Sequence, residues 1–310
     1  MLELIILALT LAADLLVGEP PAPLHPVVWV GKLISVLEKA APRQGKAGQF
    51  LYGAFAVILT AGAFAAGSYF LLNFLKGFSA VLYVLAGAYL LKSTFSLREL
   101  ARSAKKVQHL LTTQNLEDAR FQMRSLVSRD VSKLGQPLIV AATIESVAEN
   151  TSDSFTAPLF YFLIFGIPGA MIYRVVNTWD SMVGYHGKYE YLGKFPARLD
   201  DILNIIPSRL TGLLVVAAAY LTGNNGRSAW RIMFRDHKKT ESPNAGWPMS
   251  AAAGALEVQL EKVGYYVLGD SGQSLTPARI DRAVVLMNVS GAIWIAAILL
   301  AGGIRFGLNA

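Results

Sequence analysis

The sequence predicts an all-α fold, a polytopic helical membrane protein with about five transmembrane or re-entrant segments and amphipathic cytoplasmic helices. Three observations carry this expectation. Of 310 residues 54% are hydrophobic and only 16% charged, a poor balance for soluble domains. Apolar stretches long enough to cross a hydrocarbon core recur along the chain, since about 20 residues suffice for a helical crossing. The Lys and Arg residues gather between those stretches, the distribution expected of membrane topology.

The elements follow in order. LELIILALTLAADLL at 2 to 16 lacks the basic start and small-residue cleavage site of a secretory signal, so it reads as a retained first membrane segment, short and carrying Asp14. Residues 47 to 75 form the clearest span. Leu75, Lys76 and Gly77 are expected to break it, after which 78 to 97 returns as the second arm of a transmembrane hairpin, with Lys92 placed to snorkel to the interface. Residues 154 to 173, 210 to 226 and 283 to 304 are further candidates, which makes five crossings, give or take one. Between them, residues 97 to 133 read as two amphipathic helices, with Leu97, Leu100, Ala101, Ala104, Val107, Leu110 and Leu111 at three-and-four spacing. That apolar face is expected to lie on the membrane surface. No solenoid repeat or interdomain linker is visible, so 1 to 310 reads as one integral membrane domain.

The 28 Lys and Arg exceed the 21 Asp and Glu, for a net charge of +7. In so apolar a chain this points to an anionic substrate and the cytoplasmic leaflet rather than nucleic acid. Eight basic residues lie in 98 to 133, eight in 227 to 282 and four in 32 to 46, against Lys76 alone at the hairpin tip. The positive-inside rule makes those three segments cytoplasmic. Without cysteine the chain has no disulfide, thiolate nucleophile or thiolate metal site.

Polar groups cluster at the ends of the apolar stretches. Pro137 can open a helix that ends in Glu145, Glu149, Asn150 and Asp153. Glu145 and Glu149 share a helix face, and Asp153 joins them if the helix lasts another turn. Like charges at an acidic helix end oppose each other and the helix dipole, so something cationic should offset them. A hard cation such as Mg²⁺ suits carboxylates and an amide oxygen; a plain polar helix end at the headgroups is the alternative. NTSDS at 150 to 154 and NTWDS at 177 to 181 repeat one string on either side of an apolar segment, placing Asn177 and Asp180 at the offset of Asn150 and Asp153. Asp200 and Asp201 are adjacent and cannot point the same way, so at most one serves a site; Asp201 is assigned there, and Arg209 stands at the mouth of the next span. Ser242, Asn244 and Gly246 punctuate a turn before an Ala-rich helix whose free N–H groups can hold an anion; a capped loop is the alternative. His25, after Gly18-Glu19-Pro20, is either a ligand or a hydrogen-bonded structural residue.

DLLVGEPPAPLHPVVWVGKLI, ESVAENTSDSFTAPLFYFLIFGIPGAMIYRVVNTWDSMVGY, ARLDDILNIIPSRL and SPNAGWPMSAAAGALEVQLEKVGYYVLGD together resemble the CbiB/CobD family of cobalamin biosynthesis, the adenosylcobinamide-phosphate synthases. The strings cover almost the whole chain. The family's first motif usually reads Gly-Asp-Pro where this chain has Gly18, Glu19 and Pro20, which keeps the carboxylate but lengthens its reach. The resemblance implies a multi-pass enzyme of the cell (inner) membrane with its site facing the cytoplasm, an amide ligase joining adenosylcobyric acid, a corrinoid, to 1-amino-2-propanol or its O-phosphate with ATP and Mg²⁺. Membrane lipid and other late cobalamin-pathway membrane enzymes would be its partners. On that reading Glu145, Glu149, Asp153 and Asp180 hold metal, Asn150 and Asn177 join them in catalysis, and Arg174, Lys188, Arg209, His25, Asp201 and the 242 to 250 turn bind substrate or phosphate. No Walker-type motif locates the nucleotide.

Two other classes compete. A transporter would carry ionisable residues deep within its spans, where only Asp14 and Lys92 approach that here; a non-catalytic AmpE-like membrane sensor would leave the carboxylates idle. Gly166, Ile167, Pro168 and Gly169 interrupt the stretch between the two NTxDS strings. Pro breaks helical hydrogen bonding, so residues 155 to 176 are expected to dip in and return, gathering Glu149, Asn150, Asp153, Asn177 and Asp180 at one cytoplasm-facing pocket. A kinked but complete crossing is the ordinary alternative.

Overall fold

The computed structural model describes residues 2–185 and 187–307, with side chains to Gly302. In chain order its elements are α1 (Leu2–Leu16), a 3₁₀ turn (Ala22–Leu24), α2 (Pro26–Ala40), α3 (Lys46–Phe78), α4 (Ala80–Lys92), α5 (Leu97–Thr112), α6 (Leu116–Met123) and α7 (Gln136–Thr151). A π-helical turn (Ser152–Thr156) leads into α8 (Ala157–Val183), followed by α9 (Lys194–Leu203), α10 (Ile205–Leu221), α11 (Gly226–Asp236) and α12 (Gly246–Leu256). A hairpin of β1 (Leu260–Lys262) and β2 (Tyr266–Leu268) precedes α13 (Pro277–Gly307). Four helical runs are long and apolar enough to cross a membrane, Lys46–Phe78, Ala80–Thr112, Gln136–Val183 and Pro277–Gly302, or up to five if the pair Lys194–Leu203 and Ile205–Leu221 is one span. The all-α expectation therefore holds.

The chain divides into two compact units, each discontinuous in sequence: one of residues 1–96, 157–204 and 301–310, the other of 97–156 and 205–300. In the first unit α3 is apolar on every side, as a lipid-embedded helix should be, and Phe70, Phe74 and Phe78 remain exposed. Its end falls at Ser79, whose hydroxyl accepts from the Leu82 N–H, so Lys76 stays helical and the hairpin break lies a little past the expected Leu75 to Gly77. Trp179 of the second NTxDS string is fully buried and donates from Nε1 to Thr60 Oγ1 at 2.8 Å. That tryptophan is core.

Lys92 does not snorkel. It is buried, with Nζ 3.1 Å from Asp14 Oδ1 and 2.6 Å from Glu19 Oε1, because an ammonium at that depth is costly unless carboxylates meet it. The α1 and α4 helices approach closely at Gly87, where a Cβ would stand 2.7 Å from Ile6 Cδ1, so Asp14 lies within reach of Lys92.

The α8 run is two helices meeting at Gly166, which has φ 67° and ψ −160°. The rings of Tyr161 and Tyr173 stack 5.4 Å apart at 14°, although twelve residues of straight helix would separate them by about 18 Å. A Cβ on Gly169 would lie 2.7 Å from the carbonyl oxygen of Tyr161. The chain therefore doubles back at Gly166. Residues 157–165, about 13 Å of helix, run to Gly166 and 167–183 run back from it. Tyr161 and Tyr173 donate to neighbouring acceptors, the Leu203 carbonyl and Asn204 Oδ1, both at 2.9 Å, and so tie the two arms to the end of α9.

In the second unit α7 is the axis, buried continuously from Ile139 to Ala148. The apolar face of α5, Leu100, Ala104, Val107 and Leu111, enters this unit's core. The expectation that it lies on the membrane surface is thus corrected: α7 is buried on nearly all sides, and the α5 face covers part of it. Asp236, fully buried at the end of α11, accepts from Arg235 and from the Gly269 N–H at 2.8 Å, pinning the hairpin's exit.

Candidate active site

The predicted carboxylates on α7 sit in the second unit. Glu145 is buried and its Oε2 accepts from Arg129 Nη2 at 2.7 Å. Oε1 is buried with no hydrogen-bond partner among the described residues. The cation that the Glu145 and Glu149 spacing demands is thus present as Arg129, from the loop between α6 and α7. The β-hairpin supplies two further groups, since Lys262 pairs in register with Tyr266 and both lie within electrostatic reach of Glu145. Burial, then the negative charges of Glu145 and Glu149, push the Tyr266 phenol well above its ordinary value, so its hydroxyl stays protonated and able to donate. Asn150 is committed locally: Nδ2 donates to the Ser146 carbonyl at 2.9 Å and Oδ1 accepts from Ser154. Asp153 lies in the π turn, a distortion frequent at functional sites.

Asn177, Asp180 and Arg174 belong to the first unit, on the returning arm of α8. Arg174 Nη1 donates to Asn177 Oδ1 at 3.4 Å, and Asn177 Nδ2 donates to Asp200 Oδ1 at 3.3 Å. Asp200 is the inward member of its pair, buried and also accepting from Asn204 at 2.9 Å, whereas Asp201 pairs with Arg198 at 3.3 Å. Asp180 lies within electrostatic reach of both aspartates.

The remaining predicted residues lie at separate places. Asn244 Oδ1 accepts from Arg209 Nη1 at 3.1 Å and from Ser208, while the Arg209 guanidinium stacks 4.9 Å from the Trp247 ring centre. Trp247 Nε1 and Ser250 Oγ are buried beside this turn without hydrogen-bond partners among the described residues. Ser242 Oγ accepts from the N–H groups of Asn244 and Ala245. Gly246 is needed for packing, because a Cβ would meet the His237 carbonyl at 2.1 Å. His25 Nδ1 accepts from the Val27 N–H at 3.2 Å, so Nε2 carries the proton it donates to Glu19 at 3.0 Å; its role here is to cap α2. Lys188 is mostly exposed and pairs with Glu38 at 3.0 Å.

Among the described residues no three His, Asp or Glu side chains gather as a metal cage. The donor set suits Mg²⁺ only in its usual manner, with one or two carboxylates and the rest of the shell from water and phosphate.

A family model described as CobD/Cbib protein matches residues 7–287. The chain belongs to the CobD/CbiB family. Among curated relatives, the "Cobalamin biosynthesis protein CobD" of Dehalococcoides mccartyi is 53% identical over 292 residues, 94% of this chain and 95% of its own length. The "Probable cobalamin biosynthesis protein CobD" of Methanothermobacter thermautotrophicus is 45% identical over 291 residues, 94% and 95% of the two chains. That of Pyrococcus abyssi is 43% identical over 264 residues, 85% and 84%. No solved structure matches. The CobD/CbiB match runs through both compact units.

Arg129, Lys262, Tyr266 and Asp200 escaped the sequence reading as site residues. Arg129 counts there only as one of eight basic residues, and the hairpin that carries Tyr266 has strands of three residues, too short for a periodic signal. Asp200 had a usable signal: it is four residues from Asn204, the polar residue that meets it.

Proposed function

We propose that this CobD/CbiB protein is an enzyme of cobalamin biosynthesis, an ATP-dependent amide ligase that joins adenosylcobyric acid to 1-amino-2-propanol or its O-phosphate, giving adenosylcobinamide or its phosphate. We place it in the cell (inner) membrane with its site toward the cytoplasm. Family membership carries the pathway; the observation that carries the chemistry is the group formed on and over α7 by buried Glu145 and the half-buried Arg129, Glu149 and Tyr266. A carboxylate and an amine do not condense at neutral pH, because the carboxylate resists attack and the amine is protonated. ATP makes one propionate oxygen a leaving group: that oxygen takes the terminal phosphoryl group and ADP is released. The amine must then lose its proton to a base and attack the carbonyl carbon, as the activated oxygen departs with phosphate.

Glu149 is the base we assign, and the Tyr266 hydroxyl the donor toward the oxygen on which charge develops. Arg129 pairs with Glu145 and positions the α7 end. Arg209, with Asn244 and the Trp247 ring, offers a cation and an orphaned N–H for an anionic substrate group. Mg²⁺ arriving with ATP would find a carboxylate donor in Asp153, Glu145 being already offset by Arg129. A transporter reading loses its main support, since Asp14 and Lys92 satisfy each other. Purified protein given adenosylcobyric acid, ATP, Mg²⁺ and either amino alcohol tests the proposal by mass spectrometry. A corrinoid heavier by the amino alcohol less one water supports it, and its absence with both alcohols overturns it.

A further inference from the structure

A polar cavity of about 390 Å³ lies where α10 ends, α11 begins and the first turns of α13 pass. Arg227, Arg279 and Arg282 line it together with Asn224, Asn225 and Glu257. Arg279 and Arg282 are three apart in a helix and share a face. Arg227 follows the tight turn that sets Gly226 against Tyr220, where a Cβ would be 2.5 Å from the ring.

Three guanidiniums around one cavity repel unless an anion offsets them. The protein does not supply it: among the described residues none of the three forms an ion pair, and Arg279 donates only to Gln273 Oε1 at 2.7 Å. The one carboxylate on the wall, Glu257, accepts from Asn225 Nδ2 at 2.9 Å. Glu257 also adopts φ 55°, a left-handed conformation uncommon for a non-glycine residue. The cavity has the size of a small-ligand site, and it sits where α10 ends and the membrane-length helix α13 starts, a place where basic pockets hold phosphate head groups.

We propose that this cavity is a phosphate-binding site, taking a phosphate ester through Arg227, Arg279 and Arg282. Arginine suits it because its planar fork meets two phosphate oxygens at once. The same chemistry is offered by the head group of an anionic phospholipid and by a free phosphate compound. The site does not depend on the amide-forming reading, and its test needs no turnover.

The test uses the full-length protein in a nonionic detergent, titrated separately with inorganic pyrophosphate and with phosphatidylglycerol, and followed by thermal unfolding. At least one probe should raise the melting temperature of the unsubstituted protein, and in Arg227→Gln/Arg282→Gln the apparent affinity should fall about tenfold per arginine, the size of one charge-assisted hydrogen bond. A response to phosphatidylglycerol alone identifies a lipid head group; a response to pyrophosphate identifies a free phosphate compound. If the double variant does not fold, Arg282→Gln alone, at an exposed side chain, gives the same readout. No response to either probe, or an equal response in the variant, overturns the proposal.

Discussion

Replacing Arg129 with Met would leave Glu145 as a buried carboxylate without its cation. The Glu145 side chain is 5% exposed, and its Oε2 lies 2.7 Å from Arg129. Removing one partner of a buried pair costs about 3–5 kcal/mol, and the 21% exposure of Arg129 places this pair near the lower end, about 3 kcal/mol. Repulsion from Glu149 one turn away adds a few tenths. For a chain of this size each kcal/mol is worth roughly 2 °C in the midpoint, so Arg129→Met should melt about 6 °C lower in detergent by circular dichroism. Arg129→Met/Glu145→Gln, which removes both charges, should recover most of that loss. A single variant within about 2 °C of the parent, or a double variant as unstable as the single, would refute the view that Arg129 is there to offset Glu145.

Other outcomes follow from the same physics. Burial alone would raise the Glu19 carboxyl, but hydrogen bonds from His25 and Lys92 bring it down to about 2 from its ordinary 4.5. A depressed value stabilises the folded state above about pH 4.5, by about 3 kcal/mol in full, and this is lost as pH falls toward 2; the acid limb of a melting-temperature profile should flatten in Glu19→Gln. Gly169→Ala pushes a methyl to 2.5 Å from Phe165 Cβ and 2.7 Å from the Tyr161 carbonyl, so it should cost about 1–3 kcal/mol; an unchanged melting temperature would count against the reversal at Gly166. Tyr266→Phe removes only a hydroxyl and should lower the rate of amide formation about 100-fold with little loss of stability, as stopped reactions and a thermal scan would show.

Much of this architecture is legible in the sequence because hydrophobic runs and helix breakers act locally. The α3 and α4 arms, the start of α7 at Pro137 and the reversal at Gly166 each announce themselves within a few residues. What escapes is set by partners distant in sequence. Lys92 near the end of an apolar stretch reads as a snorkelling residue until Asp14, 78 positions away, is seen beside it. The α5 stripe has the right period, but periodicity does not say whether lipid or α7 covers it. Asp200 and Asp201 are indistinguishable as neighbours, and only the buried amides of Asn177 and Asn204 decide which points inward. Tyr266 gains its role from two glutamates more than a hundred residues earlier. The π turn at Ser152–Thr156 shows no Pro or Gly to mark it.

The central claim is that the α7 carboxylates and the hairpin above them carry amide formation, and a matched pair of variants tests it most directly. Glu149→Gln keeps the size of the proposed base and removes its charge; Asp130→Asn changes an exposed carboxylate of the same unit whose main partner is the Ser132 N–H at 2.9 Å. Product formation from adenosylcobyric acid and the amino alcohol should fall by about two orders of magnitude or more in the first and stay near the parent rate in the second, with both proteins melting normally. Amide product at the parent rate from Glu149→Gln would contradict the account.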